Sequence, residues 1–196
     1  MPINSFLYPS KNVPTSYEVA NSCRFEDADS ATLSLTHSAG ASSEQITWTL
    51  SFWIKRADLQ FDGIFAADNN NFNSNFAVID FDSNHKLTFY NYTSSKDFEL
   101  TTNRVFRDVS AWYHIVVAYD SSQGSASNRV KIYVNGTQET SFATANYPSS
   151  DFEIRINKSD AAHSWGGRGG GYGSFYLSEA VMVTGSQLTP TSFGEY

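Results

Sequence analysis

The sequence is poor in cysteine, in basic residues and in long apolar runs. Cys23 is the only cysteine among 196 residues, which excludes an intramolecular disulfide and a cysteine-based zinc site. Lys and Arg number 13 against 20 Asp and Glu, and the net charge of −7 disfavours a surface that tracks nucleic-acid phosphates. No run of about 18 apolar residues could span a bilayer. We therefore expect neither a nucleic-acid partner nor a membrane partner.

Signals for export and for long helices are also missing. Residues 1–6 (MPINSF) have neither the basic nor the apolar region of a secretory signal, and with one cysteine this predicts folding in a reducing cytoplasm. Three of the five prolines fall within residues 1–21, which show no hydrophobic period. We predict an extended N-terminal arm at 1–21, dispensable for folding but needed for attachment, and one domain at 22–196.

Residues that form β-strands dominate the remainder. The chain has 15 Phe, 11 Tyr and 4 Trp, and short apolar runs alternate with turn clusters such as Asn135-Gly136. About a dozen such runs indicate an all-β, antiparallel sandwich or barrel. The predicted strands are 23–25, 32–35, 47–55, 63–67, 76–82, 86–92, 98–101, 113–120, 130–134, 138–142, 152–156 and 175–183.

Two strands predict how the sheets are covered. Residues 47–55 alternate between an apolar and a mostly polar face, which predicts one buried face. Residues 113–120 are apolar on both faces, which predicts a central strand that is covered on both sides. We expect one face to pack in the core and the other to be covered by a loop that crosses the sheet. Glu179 shares parity with apolar residues, so we expect it on the core face, paired with Arg24, Arg56 or a backbone amide. The predicted core contains Trp48, Phe52, Ile115, Val117, Ile132, Val134, Phe175 and Val181.

Segments read in chain order resemble one family. RFEDADSATLS at 24–34 and TWTLSFWIKR at 47–56 are followed by a central hairpin, 108–120 and 126–136, and by a closing segment at 178–195. Together they are similar to the laminin G-like, concanavalin A-like lectin/glucanase domains of bacteriophage structural proteins, marine phages above all. The resemblance spans about residues 23–196. It implies an antiparallel two-sheet jelly roll carried on a virion, at a tail fibre, tail tip or capsid.

This resemblance leaves two functions open. The first is a module that binds host cell-surface polysaccharide from a tail fibre or head appendage. The second is a purely structural virion protein, a head decoration or fibre subunit, that contacts other virion proteins. In both, the protein is made in the host cytoplasm and acts extracellularly. We expect a homo-oligomer, most simply a trimer, because several weak sites together raise avidity.

Catalysis is not expected. Glycosidases need two carboxylates across the scissile bond, which the family resemblance would place in a Glu-x-Asp-x-x-Glu run along one strand, and the sequence has no such run. The sequence shows no spacing typical of a Ser/His/Asp triad. His114 lies inside a central strand, and we interpret it as a hydrogen-bonded core imidazole.

Aromatic residues near glycines and amides are the candidates for sugar binding. Flat rings stack on pyranose C–H faces, while amides and hydroxyls bond the sugar hydroxyls. The glycine-rich stretch 166–173 is also compatible with a flexible loop, or with an assembly contact. The candidate glycan-binding residues are Trp165, Arg168, Tyr172, Tyr90, Tyr92, Tyr147 and Asn70.

Carboxylates supply a possible calcium site. Asp80 and Asp82 share one face of a strand, and Asp62 and Asp68 lie near an asparagine-rich loop, so the oxygen donors that Ca²⁺ prefers are present. The alternative is that these side chains bond the backbone of their own turns.

Overall fold

The computed structural model describes residues 21–36, 42–68, 74–168 and 171–194. The predicted arm lies outside the described residues except for Asn21, so it stays a prediction. The predicted fold class is confirmed: two antiparallel sheets form a concanavalin A-like, laminin G-like jelly-roll sandwich. None of the helices in the described ranges is long and apolar enough to cross a membrane.

The first sheet has six strands. In spatial order they are β1 (Cys23–Phe25), β15 (Phe175–Thr184), β3 (Thr47–Arg56), β8 (Tyr113–Asp120), β9 (Val130–Val134) and β10 (Thr137–Gln138).

The second sheet has seven strands. In spatial order they are β11 (Phe142–Asn146), β7 (Lys96–Val105), β6 (Lys86–Tyr92), β5 (Phe76–Phe81), β4 (Asp62–Asp68), β12 (Ala162–Trp165) and β2 (Leu33–Thr36). A small hairpin pairs β13 (Gly167–Arg168) with β14 (Gly171–Tyr172), and the helical turns are α1 (Ser42–Ile46), α2 (Ala126–Arg129) and a 3-10 turn, Pro190–Ser192.

The core lies between the two sheets and follows the predicted alternation. Trp48 and Phe52 of β3 point inward beside Ile115 and Tyr119 of β8. The Trp48 and Tyr119 rings stack with centroids 5.2 Å apart. Burial of such aromatic side chains supplies most of the stability of a sandwich, at about 25 cal/mol per Å² of apolar surface removed from water.

Strand β8 is covered on both faces, as predicted. Its outer residues Val116 and Ala118 pack with Tyr133, and Phe193 of the C-terminal segment lies over them. Thr49 binds the C-terminal segment through two hydrogen bonds. Its hydroxyl donates to the Ser186 carbonyl at 2.7 Å and accepts from the Leu188 amide at 2.8 Å. The chain after β15 therefore crosses the outer face of the six-stranded sheet.

The predictions for Glu179 and Val181 were wrong, because β15 contains a bulge. The pairing with β3 shifts by one residue between Ser178 and Val181, and Glu179 adopts a left-handed backbone with φ of 50°. The extra residue reverses the side-chain alternation. Glu179 is therefore exposed, Val181 is 43% exposed, and Met182 takes the position against the core.

Two predicted strands also differ from the structure. The segment 152–156 is irregular, although Ile154 and Ile156 are buried in the core, because alternating apolar residues report burial and not pairing. The predicted strand 138–142 falls mostly between β10 and β11, where the chain passes from one sheet to the other.

A buried ion pair joins the two sheets. Arg56, at the end of β3, donates from Nε to Asp62 Oδ2 at 2.8 Å, and Asp62 begins β4 in the other sheet. Arg56 also donates to the Phe106 carbonyl at 3.0 Å and lies over the Phe81 ring. The Ser174 amide donates to Asp62 Oδ1 at 2.8 Å. Both charged groups are fully buried, so each depends on the other for compensation.

Replacing Asp62 with Ala is expected to destabilise the fold by about 3–5 kcal/mol, because it leaves the buried Arg56 charge uncompensated. The control is Glu99→Ala, which breaks a partly exposed pair with Lys96 and should cost less than about 1 kcal/mol. Urea unfolding midpoints compare the two, and equal losses would contradict the structural role of the buried pair.

Candidate functional site

The structure distributes the predicted glycan-binding residues over several places. Tyr90 and Tyr92 lie on β6, on the outer face of the seven-stranded sheet, whereas Trp165 lies at a groove between the sheets. Tyr147 packs against the core, and burial raises the pKa of its phenol. Asn70 and the Arg168 side chain lie outside what the structure describes. These residues therefore do not form one site.

The outer face of the seven-stranded sheet carries an aromatic cluster. Phe76 stacks on Tyr92 with centroids 5.1 Å apart and meets the Tyr90 ring edge-on at 6.2 Å. Ala66 and Val78 complete the cluster. Tyr92 is the partly exposed member, whereas Phe76 and Tyr90 are buried. Aromatic side chains on a sheet face opposite the main core are the residues that the fold does not need for its interior.

Polar groups border this cluster on the same face. Glu99 pairs with Tyr90 across β6 and β7, and Asn146 of β11 pairs with Glu99 on the other side. Lys96 lies over the Tyr90 ring at 4.6 Å and forms an ion pair with Glu99. Directly opposed residues project to the same side of a sheet, so aromatic, cationic, anionic and amide groups stand side by side. We call Tyr90, Tyr92, Lys96, Glu99 and Asn146 the tyrosine face.

An open groove of about 600 Å³ lies where β2 and β12 approach β15. Leu33 and Leu35 of β2 are 61% and 71% exposed there. Trp165 closes the inner end, with its ring 4.8 Å from that of Phe65 and 5.2 Å from that of Phe52. The accessible wall is therefore largely apolar.

Two polar side chains of the groove, His163 and Asn157, are already engaged within the chain. His163 Nε2 accepts from the Asn157 amide at 2.9 Å, and Nδ1 lies 3.1 Å from the Ala161 carbonyl. The Asn157 side chain donates to the Glu44 carbonyl at 3.1 Å. A sugar needs several exchangeable hydrogen-bond partners, so this groove suits an apolar partner better than a glycan.

The glycine-rich stretch builds a hairpin in its described part. Gly166 has φ of 89°, and a Cβ there would lie 2.2 Å from the Phe25 ring, so only glycine fits. The Tyr172 ring covers Gly167, where a Cβ would lie 2.4 Å from it. The hairpin packs tightly against β4, since a Cβ on Gly63 would meet the Gly171 carbonyl at 2.5 Å. Tyr172 thus packs on the hairpin, whereas Trp165 packs against Phe52 and Phe65.

The four carboxylates of the predicted calcium site are not brought together. Asp62 is held by Arg56 inside the sandwich, and burial raises the pKa of Asp62 to about 6. Asp80 faces the other side of its sheet, opposite Thr88, whose hydroxyl donates to it. Asp82 accepts from the amides of Asn84 and Lys86, both at 2.8 Å, as the alternative predicted. No three metal-ligating side chains converge within the described ranges, so calcium binding stays a prediction without a defined site.

A serine–histidine pair escaped the sequence analysis. Ser51 Oγ lies 2.8 Å from His114 Nε2, and the Trp53 ring stacks on the imidazole with centroids 5.0 Å apart. The signal was present in the strand parity, because odd residues of β3 share a face with even residues of β8. His114 is 1% exposed, which confirms the hydrogen-bonded imidazole, and burial lowers its pKa to about 4. The imidazole is neutral at physiological pH.

Comparison with known proteins identifies the family. The model of the concanavalin A-like lectin/glucanases superfamily (laminin G type) matches residues 27–182. The chain belongs to this superfamily. A comparison with curated protein sequences finds no significant match.

Several solved structures share the fold at low sequence identity. Domain 4 of an extracellular arabinanase from Geobacillus stearothermophilus, in complex with arabinotriose, is 16% identical with a TM-score of 0.54, covering 76% of this chain and 65% of that one. Domains LG4-5 of the mouse laminin α1 chain are 13% identical with a TM-score of 0.58, and the match covers 88% of this chain and 44% of that one. The CBM40 of Ruminococcus gnavus IT-sialidase, bound to α2,3-sialyllactose, is 12% identical with a TM-score of 0.52, and the match covers 84% of this chain and 96% of that one. This chain thus spans less than two thirds of the arabinanase and laminin chains.

The low pKa of His114 predicts a pH dependence of stability. The folded pKa of about 4 lies below the ordinary 6.5, so the unfolded state binds the proton first. Its stabilising contribution is complete above pH 6.5 and is lost as pH falls from 6.5 to 4, by up to about 3 kcal/mol.

The matched variant is His114→Gln, which keeps a hydrogen-bonding group but does not titrate. Urea unfolding between pH 7 and 4 should show a smaller loss of stability for the variant than for the wild type. Parallel pH profiles would show that His114 is not protonated on unfolding.

Proposed function

We propose that this domain is a carbohydrate-binding module that binds cell-surface polysaccharide through the tyrosine face. The observation that carries the proposal is the aromatic cluster at the centre of an outer sheet face, bordered by side chains that both donate and accept hydrogen bonds. Two proteins of the same fold, the arabinanase domain and the CBM40, hold oligosaccharides in their structures. This likeness supports the class of ligand but not its identity.

The chemistry of the face fits a sugar. The partly exposed ring of Tyr92 offers a surface for the C–H face of a pyranose. Glu99 accepts from hydroxyl groups, while Lys96 and the Asn146 amide donate. Such contacts replace good hydrogen bonds to water, so a single site binds weakly, with a Kd of about 1 mM.

We place the module on a bacteriophage virion, made in the host cytoplasm and acting outside the cell. The similarity of residues 24–34 and 47–56 to phage structural proteins supports this setting. A homotrimer with other virion proteins as neighbours would give the multivalency that weak sites need, raising avidity by about 10²–10⁴. The module is proposed to be non-enzymatic, because it lacks the Glu-x-Asp-x-x-Glu run of glycosidases of this fold.

The apolar groove favours a second function, assembly with other virion proteins. Leu33 and Leu35 expose most of their surface on β2, at the edge of its sheet. Exposed edge strands with apolar side chains are sites of protein association. A structural role through this groove is compatible with glycan binding on the outer face.

Glycan binding is tested by an array of bacterial polysaccharides probed with the whole chain. Tyr92→Ala should lower binding to the recognised glycan about tenfold, because the stacking surface is lost. Tyr176→Ala is the control, since this partly exposed tyrosine lies in the six-stranded sheet beneath Arg24 and Lys55. Equal loss in both variants, or no binding by the wild type, would contradict the proposal.

Assembly is tested by light scattering at micromolar concentration. The proposed trimer has three times the mass of the 21.8 kDa chain. Leu33→Glu together with Leu35→Glu should convert it to the monomer, because charges would be buried at the interface. The paired substitution Ser149→Glu and Ser150→Glu is the control, because both serines are exposed and neither lines the groove. A wild-type monomer would contradict trimer formation without affecting the glycan test.

A further inference from the structure

A second cavity, of about 370 Å³, lies on the outer face of the six-stranded sheet. Ser51 and Trp53 of β3 and His114 of β8 form its floor, and Glu179 of the β15 bulge forms one side. The C-terminal segment encloses the opposite side with Leu188, Ser192 and Phe193. We call this the bulge pocket. It is separated from the tyrosine face by the whole thickness of the sandwich.

The floor of the bulge pocket is rigid. The hydrogen bond of 2.8 Å between Ser51 and His114 joins two paired strands, and the Trp53 ring lies on the imidazole at an interplanar angle of 29°. Thr49 holds the C-terminal segment in place on the same face. A site built on paired strands keeps its geometry better than one built on loops.

Glu179 occupies a backbone conformation that favours glycine. Its φ of 50° lies in the left-handed region, at the position where a bulge often carries Gly. Strain of this kind concentrates at functional sites, because a residue best suited to folding would not supply the needed side chain. Here the bulge places a carboxylate beside an indole, on a face where the regular alternation would have turned it inward.

The charge of the pocket defines its ligand. Among the described residues that line it, Glu179 is the one that carries a charge, since burial keeps His114 neutral by lowering its pKa to about 4. A carboxylate in a pocket that is also lined by the aromatic residues Trp53 and Phe193 favours a cation. The exposed Ser192 hydroxyl adds a neutral polar group for a ligand hydroxyl, whereas Ser51 and His114 are buried and bonded to each other beneath the pocket.

We propose that the bulge pocket binds a ligand of monosaccharide size that carries a primary ammonium group, an amino sugar with a free amine. Glu179 pairs with the ammonium group, and the ring of Trp53 contacts the apolar side of the ligand. This site does not depend on the glycan site at the tyrosine face, because the two lie on opposite sheets.

The test uses the whole chain, followed by NMR through the indole N–H of Trp53, which Trp53→Phe identifies. At a pH of about 6.5 an amine is protonated. Glucosamine should shift this resonance with a Kd of about 1 mM, and glucose should bind at least tenfold more weakly. Equal shifts with glucose and glucosamine, or shifts that avoid Trp53, would overturn the proposal.

Two substitutions separate binding from folding. Glu179→Gln removes the charge alone and should weaken glucosamine binding at least tenfold. Glu179→Gly should weaken it as much while the melting temperature stays equal or rises, because glycine relieves the left-handed strain. Glu153→Gln, at an exposed position elsewhere, is the control and should leave binding unchanged.

A lysine derivative with a free ε-amine distinguishes the source of the ammonium group. Weaker binding of this compound than of glucosamine supports an amino sugar. Tighter binding would overturn that assignment and point to a lysine side chain of a protein partner. Unchanged glucosamine binding by both Glu179 variants would show that the carboxylate does not recognise the ligand. Loss of binding at the tyrosine face would leave this result intact.

Discussion

The buried pair between Arg56 and Asp62 is the constraint on which the arrangement of the two sheets depends. It joins the last residue of β3 to the first residue of β4, where the chain leaves one sheet for the other. The Ser174 amide bonds the same carboxylate just before β15 begins. The end of β3, the start of β4 and the residue before β15 thus meet at one charged centre. Burial makes the two charges depend on each other, because either charge without its partner would strongly destabilise the folded state.

Two features of the chain give each sheet a distinct outer face. On the seven-stranded sheet, even residues of β6 place Tyr90 and Tyr92 outward while Leu87 and Phe89 fill the core. On the six-stranded sheet, the C-terminal segment and the β15 bulge enclose a pocket above β3 and β8. The core is therefore shared, but the outer faces differ in chemistry. The outer face of the seven-stranded sheet carries Tyr92 among charged and amide groups, and Glu179 is the acidic residue of the bulge pocket.

The apolar groove follows from the incomplete pairing at one end of the sandwich. Strand β1 pairs with the first part of β15 only, from Phe175 to Leu177, and β2 ends its sheet. Leu33, Leu35 and Val181 remain at the surface there. A partner that covers these side chains would remove apolar surface from water without disturbing either outer face. The proposed assembly surface and the proposed ligand sites thus lie on different parts of the domain.

The sequence by itself determined the fold class, most strand positions and seven of the eight core residues that it predicted. Alternation in residues 47–55 and the two-sided apolar strand 113–120 report burial directly, because side chains alternate across a sheet. It also singled out Tyr90 and Tyr92. It could not place Glu179 or Val181, since one inserted residue reverses every later position and leaves no local signal.

Only the tertiary structure decided which side chains meet. Ser51 and His114 are 63 residues apart, and their contact depends on the register of β3 against β8. Asp62 carries a carboxylate of the kind that binds calcium, yet this carboxylate forms an ion pair with Arg56 of the other sheet. Trp165 and Tyr172 are close in sequence, but Trp165 packs against Phe52 and Phe65 while the Tyr172 ring covers Gly167 of the hairpin. Site chemistry requires proximity in space, and long-range strand pairing supplies that proximity.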